Sequence, residues 1–255
     1  MPLRDFVRNA LPRWALHRYR IWNARRQARA FGQLSPAAAF DKIYLEERWG
    51  SAGQPSGSGS YGIWAHEYVA YVKELAAEKG LKTAVDIGCG DFNIGSQLAG
   101  SFDRYDAVDV SPVIIARNTT RFSHLVNVHF RALDATRDAL PVADLVMVRQ
   151  VLQHLTNAQI EALLRNVEAS RPKVVVVAEH GLPNGVAAGF NVDLEGHSPG
   201  TRLVNHSCVR IDRPPFSRSA GVVREIPVDR PVLEGVPEHL AIFLWVPAGE
   251  ARGPG

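Results

Sequence analysis

The sequence predicts an α/β fold, a mostly parallel sheet flanked by helices, and three observations carry that prediction. After Gly80, short apolar runs alternate with helical or turn-like stretches, the pattern of a sheet buried on both faces. The run Ala84-Val85-Asp86-Ile87-Gly88-Cys89-Gly90 takes a buried strand into an acid and then a turn with two glycines one residue apart. Thr156 and Gln159 form a capping box ahead of the helical stripe Ile160, Leu163, Leu164 and Val167.

In chain order, residues 1–50 read as a basic helical arm. Leu11, Trp14, Ala15 and Trp22 fall near helical spacing with arginines between them, and Pro12 separates a first short helix from a second. The segment from Gly50 to Ser60, GSAGQPSGSGS, reads as a linker. Ser60 is expected to cap a helix whose face is Trp64, Tyr68, Val72, Leu75 and Ala76, with Gly80 as its stop. Strands are expected at Thr83–Ile87, Tyr105–Val110, Val128–Ala132, Ala143–Val148, Lys173–Ala178 and Leu240–Val246. From His180 to about Pro237 the prolines and polar residues predict an irregular cap insertion, so the main domain spans 51–246 and a flexible tail occupies 247–255.

The 255 residues carry a net charge of +3, and the distribution of that charge is uneven. Residues 1–31 hold eight arginines against the single acid Asp5, a local charge of +7, which leaves −4 for everything after. Cys89 and Cys208 cannot build a disulfide framework and lie in no metal-ligand spacing, which fits a reducing, cytoplasmic setting. Arg8, Arg13, Arg18 and Arg20 interrupt every candidate secretory h-region, and no run of 18 apolar residues occurs. The same Arg-rich, acid-poor start also suits an organellar transit peptide.

The chemistry concentrates at the ends of the expected strands. Gly88 and Gly90 let backbone approach a ligand closely, and Asp109, 21 residues after the first glycine, can accept hydrogen bonds from both hydroxyls of a ribose. Asp134 ends the third strand. A dinucleotide fingerprint would place a third glycine where Asn93 stands, and the Asp86 carboxylate would repel a pyrophosphate, so a ligand with an amino group and a ribose fits better. Over roughly residues 60–180, with an extension upstream through Trp49-Gly50, the chain resembles the class I S-adenosylmethionine-dependent methyltransferases.

That resemblance implies a Rossmann-like, seven-stranded sheet and S-adenosylmethionine as cofactor. It implies that Gly88, Cys89 and Gly90 pack against the methionine part and that Asp86 orients the amino group. Asp109 would take the ribose hydroxyls, Asp134 and Ala135 would meet the adenine edge, and Arg149-Gln150 would border the sulfonium. Asp91 reads equally as a ligand contact or a helix N-cap, and Ser58, Gly59 and Ser60 as a closing segment or a linker. After the fourth strand there is neither an Asn-Pro-Pro-Tyr nor a Pro-Cys pattern, which argues against exocyclic-amine and cytosine C5 methylation.

His154 and His180 are the candidate general bases, each with a structural reading beside the catalytic one. Asn191, Asp193, Glu195 and His197 could meet a polar acceptor or a cation, although alternating acids in a loop are more often solvated, and no metal site is assigned. Arg202, Asp212 and Arg213 could likewise hold acceptor hydroxyls, or form surface ion pairs. The chain is also similar to bacterial methyltransferases of surface-polysaccharide and glycolipid biosynthesis, which implies a hydroxyl-bearing small molecule or glycan as acceptor. Residues 1–31 could then touch an anionic inner-membrane surface, or pack on the domain as a solvated helix. An RNA methyltransferase holding phosphates with the arm, and a noncatalytic cofactor-binding module, are the alternatives, though the −4 of the remainder offers nucleic acid no basic floor.

Overall fold

The computed structural model describes residues 31–50, 54–183, 189–194, 206–228 and 236–247, with the separate residues 15, 18, 19, 22, 23, 26, 29 and 202. The arm expected over 1–31 and the tail of 247–255 therefore lie largely outside the described residues. At the arm's described positions the chain is helical, with Tyr19 and Trp22 exposed.

The strands are β1 (Thr83–Ile87), β2 (Arg104–Asp109), β3 (Val128–Ala132), β4 (Leu145–Arg149), β5 (Val174–Gly181), the two-residue β6 (Gly189–Phe190) and β7 (Ser207–Cys208), β8 (Ala220–Pro227) and β9 (His239–Trp245). Seven form one sheet in the order β3-β2-β1-β4-β5-β9-β8, parallel from β3 to β5 and antiparallel where β9 meets β5 and β8. The helices are α1 (Pro36–Leu45), α2 (Ile63–Lys79), α3 (Asn93–Leu98), α4 (Pro112–Arg121) and α5 (Asn157–Ala169).

Alternation along the central strands divides the core in two. Leu145, Met147, Val174 and Val176 face a layer containing Trp64, Tyr68 and Val72 of α2. Val146, Val148, Val175 and Val177 face Ile160, Leu163, Leu164 and Val167 of α5. That second helix starts at the expected capping box, with Gln159 N bonded to Thr156 Oγ1 at 3.3 Å and Thr156 N to Gln159 Oε1 at 3.0 Å. The order reverses at β1, between β2 and β4, and ligands of open α/β sheets bind beyond the carboxyl ends of the strands at such a point.

Three expectations are corrected. The boundary at residue 50 does not coincide with a break, because Phe31, Ala39, Ile43 and Tyr44 are buried and α1 packs on the domain. Asp41 of α1 accepts from Ser111 Oγ at 2.5 Å and Val113 N at 3.2 Å, tying it to the start of α4. Ser60 does not cap α2. It closes a 3₁₀ turn (Ser58–Ser60), its carbonyl accepts from Asn93 Nδ2, and Gly62 at φ 89° leads into the helix, while Gly80 does stop it at φ 60°.

Finally, residues 220–227 are not part of an irregular cap but the edge strand β8. Only one of its faces is covered, and a bulge lies between Val222 and Arg224, so the sequence presents no continuous apolar run there.

Candidate active site

A cavity of about 480 Å³ opens at the carboxyl ends of β1, β2 and β4. Its floor is the Asp86–Gly90 turn, Asp109, Asp134–Thr136 and Arg149–Val151, and its roof is Phe40, Tyr44 and Trp49 with Ser56, Gly57 and Gly59. Of the residues singled out from the sequence, Asp86, Gly88, Cys89, Gly90, Asp109, Asp134, Ala135, Arg149, His154 and His180 all line it.

Gly88 and Gly90 hold φ of +72° and +55°, where a side chain is strained. A Cβ on Gly88 would stand 2.4 Å from Val151 Cγ2, and one on Gly90 would stand 2.4 Å from Ser56 Oγ. Asp109, 5% exposed, accepts from Gly90 N (3.1 Å) and Tyr44 OH (3.4 Å) on Oδ2 and from Ser111 N (3.0 Å) on Oδ1. Burial pushes its carboxyl up to about 6 against those donors. Asp86 accepts from Tyr105 OH at 3.0 Å and is likewise raised to about 6 by burial.

Arg149 stands near Asp86, its guanidinium 5.5 Å from the ring centre of Trp64 and 5.3 Å from that of Tyr68. Its terminal nitrogen donates to the Gly59 carbonyl, and its buried Nε has no partner. Anionic Asp86 and cationic Arg149 side by side suit the amino and carboxylate ends of a zwitterion, which is what a methionine moiety presents. Burial raises the Cys89 thiol, which keeps it in the inert protonated form.

Asp91 and Asp134 are more self-contained than the sequence implied. Asp91 is buried outside the cavity lining, accepting from Asn93 N (3.2 Å) and Tyr61 OH (3.0 Å), so it acts at the start of α3. The Asp134 side chain accepts from Thr136 N and Oγ1 within its own turn.

The two histidines sit differently. His154 lies in a 3₁₀ turn (Leu152–His154), stacked on Trp49 with ring centres 4.8 Å apart and edge-on to Phe40 at 6.3 Å. His180 is held between Gln150 Nε2 (2.7 Å from its Nε2) and Glu238 Oε2 (3.4 Å from its Nδ1). Burial and the Arg149 charge push the His180 ring down to about 3, so it stays neutral.

The aromatic part of the roof was not legible as a site, whereas Gly59 and Ser60, read as a closing segment or a linker, do line the cavity. Phe40, Tyr44 and Trp49 belong to the stretch read as an arm, and only the W-G pair beside a serine- and glycine-rich run hinted at contact. Asn191 is a structural buried residue bonded to the Arg210 and Pro214 carbonyls, while Glu195 and His197 lie outside the described residues. Arg202 bonds the Leu155 and Val192 carbonyls, and Asp212 pairs with Arg210.

A family model described as a methyltransferase domain matches residues 85–170. No curated protein matches the sequence. Among solved structures, the N-methyltransferase NodS of Bradyrhizobium japonicum WM9 in complex with S-adenosyl-L-homocysteine is similar at 17% identity. It covers 80% of this chain and 99% of its own, with a TM-score of 0.55. Magnesium protoporphyrin IX methyltransferase of Synechocystis PCC 6803 with bound S-adenosylmethionine is similar at 12% identity, covering 83% of this chain and 95% of its own, with a TM-score of 0.54. A methyltransferase of Leishmania major follows the same fold at 13% identity, 79% and 81% coverage and a TM-score of 0.52. Likeness at such identities establishes a shared fold, and the family match adds the domain at its centre. Residues 85–170 thus match a methyltransferase domain, within a fold this chain shares with solved S-adenosylmethionine-dependent methyltransferases.

Proposed function

We propose that this enzyme transfers the cofactor's methyl group to a hydroxyl of a polar small molecule or glycan, with His154 taking the hydroxyl proton. The observation that carries the reading is the placement of His154 on the cavity wall, stacked on Trp49 and edge-on to Phe40. His180 is a poor alternative as base, because a ring held near 3 does not take up a proton at neutrality. Flat aromatic faces such as Trp49 and Trp64 give a sugar ring an apolar surface to lie on.

For the cofactor, Asp86 would hold the amino group and Arg149 the carboxylate. Asp109 would take the ribose hydroxyls, replacing the long 3.4 Å bond from Tyr44, and Asp134 with Ala135 would border the adenine. The bound cofactor supplies an electrophilic methyl on a sulfonium, and the chain's task is to align the acceptor oxygen with it and exclude water.

The test is methyl transfer from labelled S-adenosylmethionine by the purified protein to sugars, nucleotide sugars and lipid-linked glycans. Label is expected in a hydroxyl-bearing member of the panel, and label entering only RNA or protein would overturn the assignment. Among the described residues no helix is long and apolar enough to cross a membrane. The eight arginines of residues 1–31 favour peripheral contact with an anionic leaflet, at about 1 kcal/mol for each one near the surface.

A pH dependence follows from the two carboxylates. Asp86 faces Tyr105 and Arg149, and Asp109 faces Tyr44, Ser111 and Asp41, and both groups bind protons up to about pH 6 in the free enzyme. A cationic amino group and two ribose hydroxyls favour the ionised forms, so affinity is full above that pH and lost as pH falls through about 6. Calorimetric titration with S-adenosylhomocysteine is expected to show Kd weakening by up to about tenfold per unit and per carboxylate below that point. A flat profile from neutrality to about pH 5 would remove both from the site.

A further inference from the structure

We infer that Glu238, His180 and Gln150 form a positioning relay that turns the Gln150 carboxamide oxygen toward the acceptor, to receive an O–H or N–H adjacent to the atom being methylated. This rests on the methyltransferase reading and goes beyond it, since it names a residue that selects the acceptor and the group it selects for.

Gln150 stands at the first position after β4, on the cavity wall, with φ of +55°. A non-glycine residue in that region is strained, and such strain persists where surrounding structure imposes it. Here its amide N–H bonds the Ala178 carbonyl at 2.8 Å, and its side chain meets His180.

The contact between two nitrogens, Gln150 Nε2 and His180 Nε2, at 2.7 Å decides the tautomer. An amide nitrogen only donates, so the ring nitrogen must accept and be bare of hydrogen. The ring proton then sits on Nδ1, on the side of Glu238 Oε2, a buried carboxylate at an ion-pair distance of 3.4 Å and outside hydrogen-bond geometry. Carboxylate, imidazole and amide thus line up in one sense. The amide nitrogen leaves the near ring nitrogen bare, the buried carboxylate attracts the proton on the far one, and the amide oxygen is left on the other side.

That oxygen is open because of Gly59. A Cβ there would lie 2.4 Å from Gln150 Oε1, and Gly59, like Gln150, lines the cavity. Among the described residues nothing donates to Oε1. A carbonyl oxygen on the wall of the cavity that His154 also lines offers one acceptor position, and His154 is the proposed base for the reacting proton. The acceptor therefore carries a second donor next to its nucleophile, as a vicinal diol or an amino alcohol does. A site built for that hydrogen bond rejects an analogue without the second donor far more strongly than an apolar pocket would.

The relay is tested first by two-bond ¹⁵N–¹H correlation spectra of the full-length protein, with His180 assigned through His180→Gln. The expected signature is a neutral ring protonated on Nδ1 from about pH 6 to 8, moving to Nε2 protonation in Gln150→Glu, whose carboxylate can only accept. His180 protonated on Nε2 in the unsubstituted protein, or titrating in that interval, overturns the relay without any acceptor being known.

The second arm measures transfer to whichever panel member takes label, and to its monodeoxy analogues. Gln150→Gly, which relieves the backbone strain, is expected to lower kcat/KM by about 10²-fold and to erase the preference over the deoxy analogue. Gly59→Ala, at ordinary backbone angles, is expected to erase the same preference, read as the ratio between the two acceptors at saturating S-adenosylmethionine. Among the His180 variants, Gln should retain more transfer than Phe, since it can still accept from Gln150. Unchanged discrimination in Gln150→Gly with cofactor binding intact sinks this inference alone, whereas absence of S-adenosylhomocysteine binding in the unsubstituted protein would sink the underlying reading.

Discussion

Asp109→Ala is expected to weaken S-adenosylhomocysteine binding by about 10²-fold or more. Two hydroxyl hydrogen bonds to a buried carboxylate are worth about 1.5 kcal/mol each, and roughly 3 kcal/mol corresponds to about that factor. The same carboxylate pins the glycine turn through Gly90 N and the start of α4 through Ser111 N, so its removal also loosens the floor against which the ligand packs. Asp109→Asn keeps one accepting oxygen and should fall between. Calorimetry reads the loss directly, and an alanine variant that binds like the unsubstituted protein would show that the ribose lies elsewhere.

Glu179→Ala should produce the largest loss of stability. This side chain, 1% exposed, accepts from Leu152 N at 2.7 Å on Oε1 and sits buried beneath the turn that follows β4. Alanine would leave that buried donor without its acceptor, a cost of about 1–3 kcal/mol, or a Tm lower by roughly 2–10 °C for a chain of this size. The turn it belongs to presents Gln150 and His154, so methyl transfer should fall in parallel.

Glu179→Gln is the informative control. Burial pushes the carboxyl up to about 8, so the folded protein keeps it protonated where an unfolded glutamate is charged, and the group costs increasing stability as pH rises from about 4.5 to 8. Glutamine resembles the protonated acid and should keep the fold while flattening that dependence. A glutamine variant as unstable as alanine would mean that the charge, and not the accepting oxygen, holds the turn.

The parallel half of the fold was legible because each of its strands is an apolar run closed by a recognisable signal. β1, β2 and β3 were placed within a residue of their observed ends, and the acid-GxG turn with Asp109 located the cavity floor. The aromatic part of the roof was not, because α1 is an ordinary amphipathic helix. Nothing in PAAAFDKIYL says that Tyr44 will reach a carboxylate 65 residues away. Arginine-rich sequence just before it drew the whole of 1–50 into one basic unit. Edge strand β8 failed for the opposite reason, since half of its residues face solvent and a bulge breaks their alternation. Glu179 was passed over beside His180, and Gln150 was read only as a neighbour of the sulfonium, because a positioning role depends on orientation, and spacing alone does not report which end of an amide faces which nitrogen.

The attachment of α1 also bears on timing. Asp41 clasps Ser111 and Val113 at the head of α4, and one turn along the same helix Tyr44 rests on Asp109. A movement of that helix would release both contacts together, and with them two of the ties between roof and cavity floor. In such an arrangement turnover can be metered by the dwell of a hinged cover and not by the methyl transfer beneath it.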